Sequence, residues 1–381
     1  MKKILFFTGK RGGYGALTNI INLFKKDKAF EVIIVLTDMH LKNEFGKTLN
    51  EVKKNYNQII SIDIGKQSNS NLQRTKSLSI LINKFSKVLN KIKPDLVLLL
   101  GDRGETLAAT FTSIQMGIPV AHIQAGDISG GLDNIHRHAI TKLSHLHFSQ
   151  NQNQKKRVLN LGEQKKRVLN SGAPYIDNVK NSKLPDFNKV IKKLKLNFHK
   201  KKYSIILHHS DTYRQSRSFI EMKIILKTIE FLKIPSLVIY PCSDPGYLGI
   251  IKSIKKYSKS DNFKVFKSLE YNDYLSLLKN SQFLIGNSSS GIIEAPYFKI
   301  PFINVGMRQN NRDKCANVID VSAKKNEIIK SIKFALSNKS FKKKLQNIKN
   351  PFGDGKSYLK IYKKIKNTNL NNEFFMKEIT Y

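Results

Sequence analysis

Short apolar runs alternate along the chain with longer segments in which apolar residues recur every three to four positions. This is the pattern of parallel βαβ units, in which strands covered on both faces read as continuous Val/Ile/Leu runs. In the first half the runs predict strands at residues 4–8, 32–37, 59–64, 96–101, 120–124 and 145–149. Pro94 and Pro119 stand just ahead of two of them, where proline ends a helix and lets a strand begin. Between strands, Leu78, Leu81, Ile82, Phe85 and Leu89 fall on one face of a predicted helix. After a lysine-rich, weakly patterned stretch from about 170 to 202 the alternation resumes. It predicts strands at 204–208, 237–240, 264–266, 283–286 and 302–305. The expected organisation is therefore a first α/β domain over 1–175, a second over 176–367, and a polar, loosely ordered tail over 368–381. The heptapeptide Gln-Lys-Lys-Arg-Val-Leu-Asn occurs at 154–160 and again at 164–170. With no third copy, and falling once on a predicted helix and once on a strand, it is read as coincidence.

The full length of 381 residues suits two domains of roughly 150–200 residues, each able to bury a core. No apolar run approaches the ~18 residues a membrane helix needs, and the apolar stretch at 4–7 is too short for a secretory signal. Two cysteines, Cys242 and Cys315, make neither a metal-ligand spacing nor a disulfide framework. Together these predict a cytoplasmic protein with no membrane association. The formal net charge of +39 invites a nucleic-acid reading. The lysines, however, are spread along the whole chain, with abundant Asn and Ile, as an AT-rich genome would encode. No nucleic-acid motif is present, so the expectation is no nucleic-acid partner, with a field that favours an anionic small substrate.

In open α/β sheets, ligands bind beyond the carboxyl ends of the strands, so the residues following each strand carry the candidate chemistry. Thr8-Gly9-Lys10-Arg11-Gly12-Gly13-Tyr14-Gly15 follows the first. It is either a plain tight turn or a phosphate loop with Arg11 or Lys10 as the cation; it is not a dinucleotide fingerprint. Gly101-Asp102-Arg103-Gly104-Glu105 offers an acid that is either a helix N-cap or a functional carboxylate. The densest constellation is 122–138, with His122, Asp127, Asp133, His136, Arg137 and His138 around a glycine-rich loop. Carboxylate, imidazole and guanidinium groups in one loop suit proton abstraction beside a departing anion. The competing readings are Asp133 as an N-cap with surface histidines, and metal binding. In the second half, His208-His209-Ser210-Asp211-Thr212 and the turn containing Cys242 and Asp244 follow strands. Gly286-Asn287-Ser288-Ser289-Ser290-Gly291 opens a helix and reads either as a serine-rich cap or as a diphosphate cradle, with Glu294 placed to accept from a ribose diol.

In this order the motifs resemble the hydrolysing UDP-N-acetylglucosamine 2-epimerases, over about residues 2–321. Thr8-Gly9 with Arg11 and Tyr14-Gly15 is similar to that family's first phosphate loop. Thr37-Asp38-Met39-His40-Leu41 with Gly46 and Thr48 is similar to its second-strand motif. Gly101-Asp102-Arg103, residues 122–127 and Arg137-His138-Ala139-Ile140-Thr141-Lys142 resemble its catalytic region. Gly286 to Glu294 with Arg308 and Arg312 resembles its nucleotide site. The resemblance implies two doubly wound, Rossmann-like α/β domains facing across a cleft, a GT-B-like fold, and a homo-oligomer (dimer or tetramer). It implies catalytic roles for Asp102, Asp127, Asp133, His209 and Arg137. Binding of a UDP-sugar would fall to Arg11, His122, His138, Asp244, Ser288, Ser289, Ser290, Gly291, Glu294, Arg308 and Arg312. It further implies elimination of the nucleoside diphosphate to a glycal, then hydration to a free N-acetylmannosamine-type sugar, with no cofactor and no metal.

The chain departs from the family pattern at several places. Asp127 stands where many relatives carry glutamate, Gly13 and Asn134 replace acids, and no proline follows His209. Gln124 occupies a position that is glutamate in the non-hydrolysing branch, which together with residues 137–142 favours the hydrolysing one. Two other classes share parts of the pattern. A GT-B glycosyltransferase would need an acceptor and would not use Asp127 or Asp133 for proton removal. A basic nucleic-acid-binding protein would bind in a salt-sensitive way.

Overall fold

The structure, a computed structural model, describes residues 1–65 and 70–380. Residues 66–69, inside the expected first domain, and Tyr381, the end of the expected tail, lie outside the described residues. The chain forms two compact units. The first comprises Met1–Ile128, Leu132–Lys180 and the described part of 351–381; the second comprises Ser129–Gly131 and Asn181–Asn350.

The first unit is built on a seven-stranded sheet of β1 (Lys2–Thr8), β2 (Phe30–Thr37), β3 (Ile59–Ile62), β4 (Leu96–Leu100), β5 (Val120–Ile123), β6 (Leu146–Ser149) and β7 (Val168–Asn170). The spatial order is β3-β2-β1-β4-β5-β6-β7, and every pairing is parallel. One layer of the core packs Ile4, Phe6, Leu17, Ile21, Phe24 and Leu98 on one face of the sheet. The other packs Leu5, Phe7, Leu81, Phe85, Leu89 and Leu99 on the opposite face. That alternation along β1 is why Ile4 to Phe7 are apolar without interruption. The second unit holds β8 (Ser204–Leu207), β9 (Ser236–Ile239), β10 (Phe263–Phe266), β11 (Phe283–Gly286), β12 (Phe302–Val305) and β13 (Val318–Val321). Its order is β10-β9-β8-β11-β12-β13, again wholly parallel.

Both sheets are doubly wound, as expected, and in both the strand order reverses beside the first strand. The loops after β1 and β4, and after β8 and β11, therefore flank the crevice in which such sheets bind ligands. Those four loops carry residues 9–15, 101–105, 208–212 and 287–291.

Three expectations are corrected. The stretch 170–202 is not weakly structured, since helices Pro174–Asn181 and Phe187–Lys193 occupy it, the latter capped by Asp186 accepting from the Asn188 and Lys189 N–H groups. Residues from 351 return to the first unit, where the helix Ser357–Lys366 buries Ile361 and Ile365 in the first unit's core, so the unit boundary is not at 367. The tail is docked rather than loose. The Arg167 guanidinium donates to the Phe374 and Met376 carbonyls, both at 2.8 Å, and the Thr380 N–H donates to the Gly162 carbonyl at 2.9 Å.

The turn after β11 depends on a glycine. Gly286 has φ +135°, and a Cβ there would lie 2.1 Å from the Leu207 carbonyl oxygen, backbone that cannot yield without parting β8 from β11. Gly286→Ala is expected to destabilise the second unit by about 3 kcal/mol. Urea denaturation followed by circular dichroism would read this as a lower midpoint, and an unchanged midpoint would refute the constraint.

Candidate functional site

In the first unit the site is organised by one buried cation. Arg137 lies in the helix Asp133–Leu143 and is fully buried. Its guanidinium donates to the Asp102 carboxylate and, at 3.1 Å, to the Asp127 carbonyl. A guanidinium withdrawn from water is tolerable only when paired, so this helix is tied to the ends of both β4 and β5. Asp102 precedes the helix Gly104–Gln115 without capping it, because the cap position belongs to Arg103, whose side chain makes no capping bond. The Asp102 side chain keeps 16% of its surface exposed. Asp133 is not a cap either. The cap position is Leu132, and Asp133 is the first helical residue, half-buried, where a negative charge is favoured by the helix N-terminus.

Asp127 is fully buried. One carboxylate oxygen accepts from the Ile128 N–H at 2.9 Å and the other from the Gln124 amide at 3.2 Å. The loop is tightly wound: Gln124 has φ +77° and Gly126 φ +76°, and a Cβ on Gly126 would sit 2.2 Å from the Gln154 carbonyl oxygen. His122, also fully buried, uses both ring nitrogens on its own unit, Nδ1 with the Thr141 hydroxyl at 3.1 Å and Nε2 with the Gly101 carbonyl at 2.8 Å. Since a carbonyl only accepts, Nε2 carries the proton. Burial, opposed by the bond to Gly101, pushes the pKa of this ring down to about 3, so it stays neutral and steadies the turn that presents Asp102. His138, half-buried, is likewise lowered by burial and by the nearby Arg137 and Arg157 charges, against Asp127.

At the end of β1, Arg11 is half-buried and donates to the Phe45 carbonyl at 3.3 Å. Beside it His40 bridges the Thr48 hydroxyl at 2.8 Å and the Thr8 hydroxyl at 3.3 Å. Beneath this loop lies a charge network absent from the sequence reading. Arg74 and Arg103 both donate to Asp38, at 3.1 and 3.2 Å, and both pair with Glu105. Two guanidiniums alternating with two carboxylates cross-link the ends of β2 and β4 to the helix Asn71–Ile92. Arg74 lies in the first turn of the helix Asn71–Ile92 and belongs to no motif, so only the fold reveals it.

In the second unit the β8 and β11 loops are joined by reciprocal bonds. The His209 N–H donates to the Asn287 side-chain oxygen at 2.6 Å, and the Asn287 amide donates to the His209 carbonyl at 2.9 Å. His209 Nδ1 accepts from the Cys242 N–H at 3.0 Å, which leaves the ring proton on Nε2. Arg308 donates to the Asn287 carbonyl at 3.3 Å and lies 3.7 Å from the Asp244 carboxylate. Arg312 donates to Gln309 at 2.9 Å, and Gln309 in turn donates to the Asn287 carbonyl at 2.7 Å. The Tyr274 and Ser290 hydroxyls share a hydrogen bond of 2.5 Å, Tyr271 donates to Glu294, and the Ser290 N–H donates to the Ser288 hydroxyl at 3.3 Å. Ser289 is half-buried at the head of the turn, and Gly291 is buried against the Phe302 ring. The helix here runs only from Ser290 to Ile293, with Pro296 soon after. A single turn has little macrodipole, so the helix N-terminus on which the expected cradle relied is one turn only. Among the described residues no group of three or more His, Cys, Asp or Glu side chains is placed to hold a metal ion, and no helix is long and apolar enough to cross a membrane.

The family model of UDP-N-acetylglucosamine 2-epimerases matches residues 22–366. The chain is 32% identical over 384 residues, 99% of both chains, to a UDP-N,N'-diacetylbacillosamine 2-epimerase (hydrolyzing) of Legionella pneumophila. It is 35% identical over 323 residues, 84% of both, to a GDP/UDP-N,N'-diacetylbacillosamine 2-epimerase (hydrolyzing) of Campylobacter jejuni. In fold it resembles the crystal structure of UDP-GlcNAc 2-epimerase from Neisseria meningitidis bound to UDP-GlcNAc, with a TM-score of 0.79 at 21% identity over 97% of this chain and 100% of that one. A match across nine-tenths of the chain, with both parallel sheets in doubly wound order, leaves one assignment: this chain belongs to the UDP-N-acetylglucosamine 2-epimerase family.

Proposed function

We propose that the chain is a hydrolysing 2-epimerase, converting a UDP- or GDP-linked 2-acetamido or 2,4-diacetamido sugar to the free 2-epimer and the nucleoside diphosphate. The observation that carries this reading is the Arg137 clamp, which fixes Asp102 from one side of a helix whose first residue is the second accessible carboxylate, Asp133. Similarity to relatives named as hydrolysing enzymes supports the branch.

The chemistry divides into two steps. One carboxylate of the Asp102/Asp133 pair takes the C2 proton as the C1–O bond to the diphosphate breaks. The bond electrons leave with the phosphate oxygen, and a C1=C2 glycal remains. Water then adds hydroxyl to C1 and a proton to C2 from the opposite face. A proton next to an acetal carbon is weakly acidic, so a carboxylate suffices only if the leaving diphosphate is stabilised. In this reading Arg11 and the second unit's His209 Nε2–H, Arg308, Arg312 and serines 288–290 supply that stabilisation. Glu294 and Asp244 orient the nucleoside, and His138 contacts the sugar. Asp127, with both oxygens occupied by its own loop, shapes the site, and His122 holds the Asp102 turn. The enzyme would work as a homo-oligomer in the cytoplasm.

Incubation with UDP-N-acetylglucosamine and its 4-acetamido analogue in heavy water tests the proposal by NMR. The expected product is free sugar of inverted C2 configuration carrying one solvent deuterium at C2. Product without label would overturn elimination–hydration, and interconverted sugar still bound to the nucleotide would place the chain in the non-hydrolysing branch.

A further inference from the structure

The docked C-terminal segment places a half-buried ammonium, that of Lys377, at the end of the helix Asp133–Leu143. Lys377 Nζ lies 2.5 Å from the Lys142 carbonyl oxygen and 2.8 Å from that of Ser144. These belong to the last turn of that helix, where carbonyls lack intrahelical donors and a cation is favoured. The same ammonium contacts both oxygens of Glu163, at 3.0 and 2.8 Å. Glu163 is buried and also accepts from His147 Nε2 at 2.9 Å. Burial alone would raise the Glu163 carboxyl, but His147 and Lys377 outweigh it and hold it at about 2. Around this point the segment is strapped down. Arg167 holds the Phe374 and Met376 carbonyls with its guanidinium over the Phe374 ring. His145 stacks on Phe375, ring centroids 4.8 Å apart, and bonds its carbonyl at 3.1 Å.

We infer that Lys377 is a positioning residue for the reaction, capping the end of the helix Asp133–Leu143 and thereby fixing the Arg137–Asp102 pair and Asp133 at its other end. The helix is eleven residues long, about 16 Å, and moves as one rod. Its head carries Asp133, its middle is anchored through Arg137, and its tail is held by Lys377. Loss of the tail anchor lets the rod pivot about Arg137, which swings Asp133 while leaving the nucleotide-binding loops of the second unit untouched. The inference rests on the function proposed above.

The test uses the full-length chain with Lys377→Met, which keeps the apolar stem and removes the donors, and Lys377→Arg, which keeps the charge. Lys377→Met is expected to lower kcat at least tenfold, with KM and nucleoside diphosphate affinity within about twofold of wild type. Amides at 140–144 should exchange with deuterium at least tenfold faster. Lys377→Arg should recover a third or more of kcat. A Lys377→Met enzyme with kcat within twofold of wild type overturns the inference, as does a fall in kcat matched by an equal loss of nucleotide affinity. Should Lys377→Met fail to fold, Arg167→Gln, which loosens the strap elsewhere, is read by the same two measures, and unchanged kcat and exchange there also overturn it. A wild-type chain that releases no free sugar refutes the proposed function instead. The exchange at 140–144 then judges the strap by itself, and unchanged exchange in Lys377→Met overturns it.

Discussion

Asp133→Asn is expected to lower kcat for free-sugar release about a thousandfold, some 4 kcal/mol of transition-state stabilisation, with nucleoside diphosphate affinity within about twofold of wild type. The substitution is nearly isosteric, and Asp133 is not the helix cap, so the helix should stay folded. Arg137, four residues on and fully buried, keeps its hold on Asp102 and on the Asp127 carbonyl. What is lost is a half-exposed group able to take up or give a proton. Asp127→Asn should behave differently. Its carboxylate is enclosed and holds the Ile128 N–H and the Gln124 amide, and an amide presents its own N–H₂ to one of those donors. That variant should lose loop order along with activity. Single-turnover assays together with calorimetric titration of UDP separate the two. Near-normal turnover in Asp133→Asn would remove Asp133 from the chemistry.

How much of this was legible beforehand varies with the physical signal. Most strands of both sheets stand out because they are covered on two faces, so apolar residues dominate them on both sides, as in Leu96–Leu100 and Phe283–Gly286. β7 and β13 escape for opposite reasons. β7 has only three residues, and the edge strand β13, Val-Ile-Asp-Val, carries an acid. The repeated heptapeptide makes the limit of local reading plain. At 154–160 it lies within the helix Gln152–Asn160, whereas at 164–170 it forms a 3-10 turn followed by β7. Val158 and Val168, equivalent in sequence, pack into one small core with Ala125. Identical residues thus take two conformations because their tertiary partners differ. The tail misleads for a related reason. Its composition is polar, but Arg167 and Lys377 bind backbone carbonyls, and Phe374 was the apolar signal beside them. In the site, the motif order nominated Asp102, Asp133 and Arg137, while the Arg74–Asp38–Arg103–Glu105 network needed two strand ends and a distant helix brought together.

The first unit should lose stability steeply in mild acid. His40 and His145 are lowered to about 4 and His122 to about 3, in each case mainly by burial, and His138 and His147 are shifted the same way. A histidine whose folded pKa is depressed favours the native state fully above its unfolded value of about 6.5. That contribution is lost as pH falls from there toward the folded values, because only the unfolded chain takes up the proton. Each ring contributes up to about 1.4 kcal/mol per pH unit, so three give at most about 4 kcal/mol per unit between pH 6.5 and 4. Asp177 acts in the opposite direction. Burial raises it to about 6 against its bonds to Ser357 and Tyr358, so below pH 6 its protonation steadies the fold by up to about 1.4 kcal/mol per pH unit, offsetting about one ring. One carboxyl does not offset three rings, and the net loss by pH 5, at most about 5 kcal/mol, is a large share of a total stability of about 5–15 kcal/mol, so the melting temperature should fall steeply. Glu163, at about 2, adds its own loss only below about pH 4.5. Melting temperatures followed from pH 7.5 to 5, with hydrogen exchange to show which sheet opens first, measure this directly. A flat profile, or first opening in the β8–β13 sheet, would mean that these buried rings do not govern the acid limb.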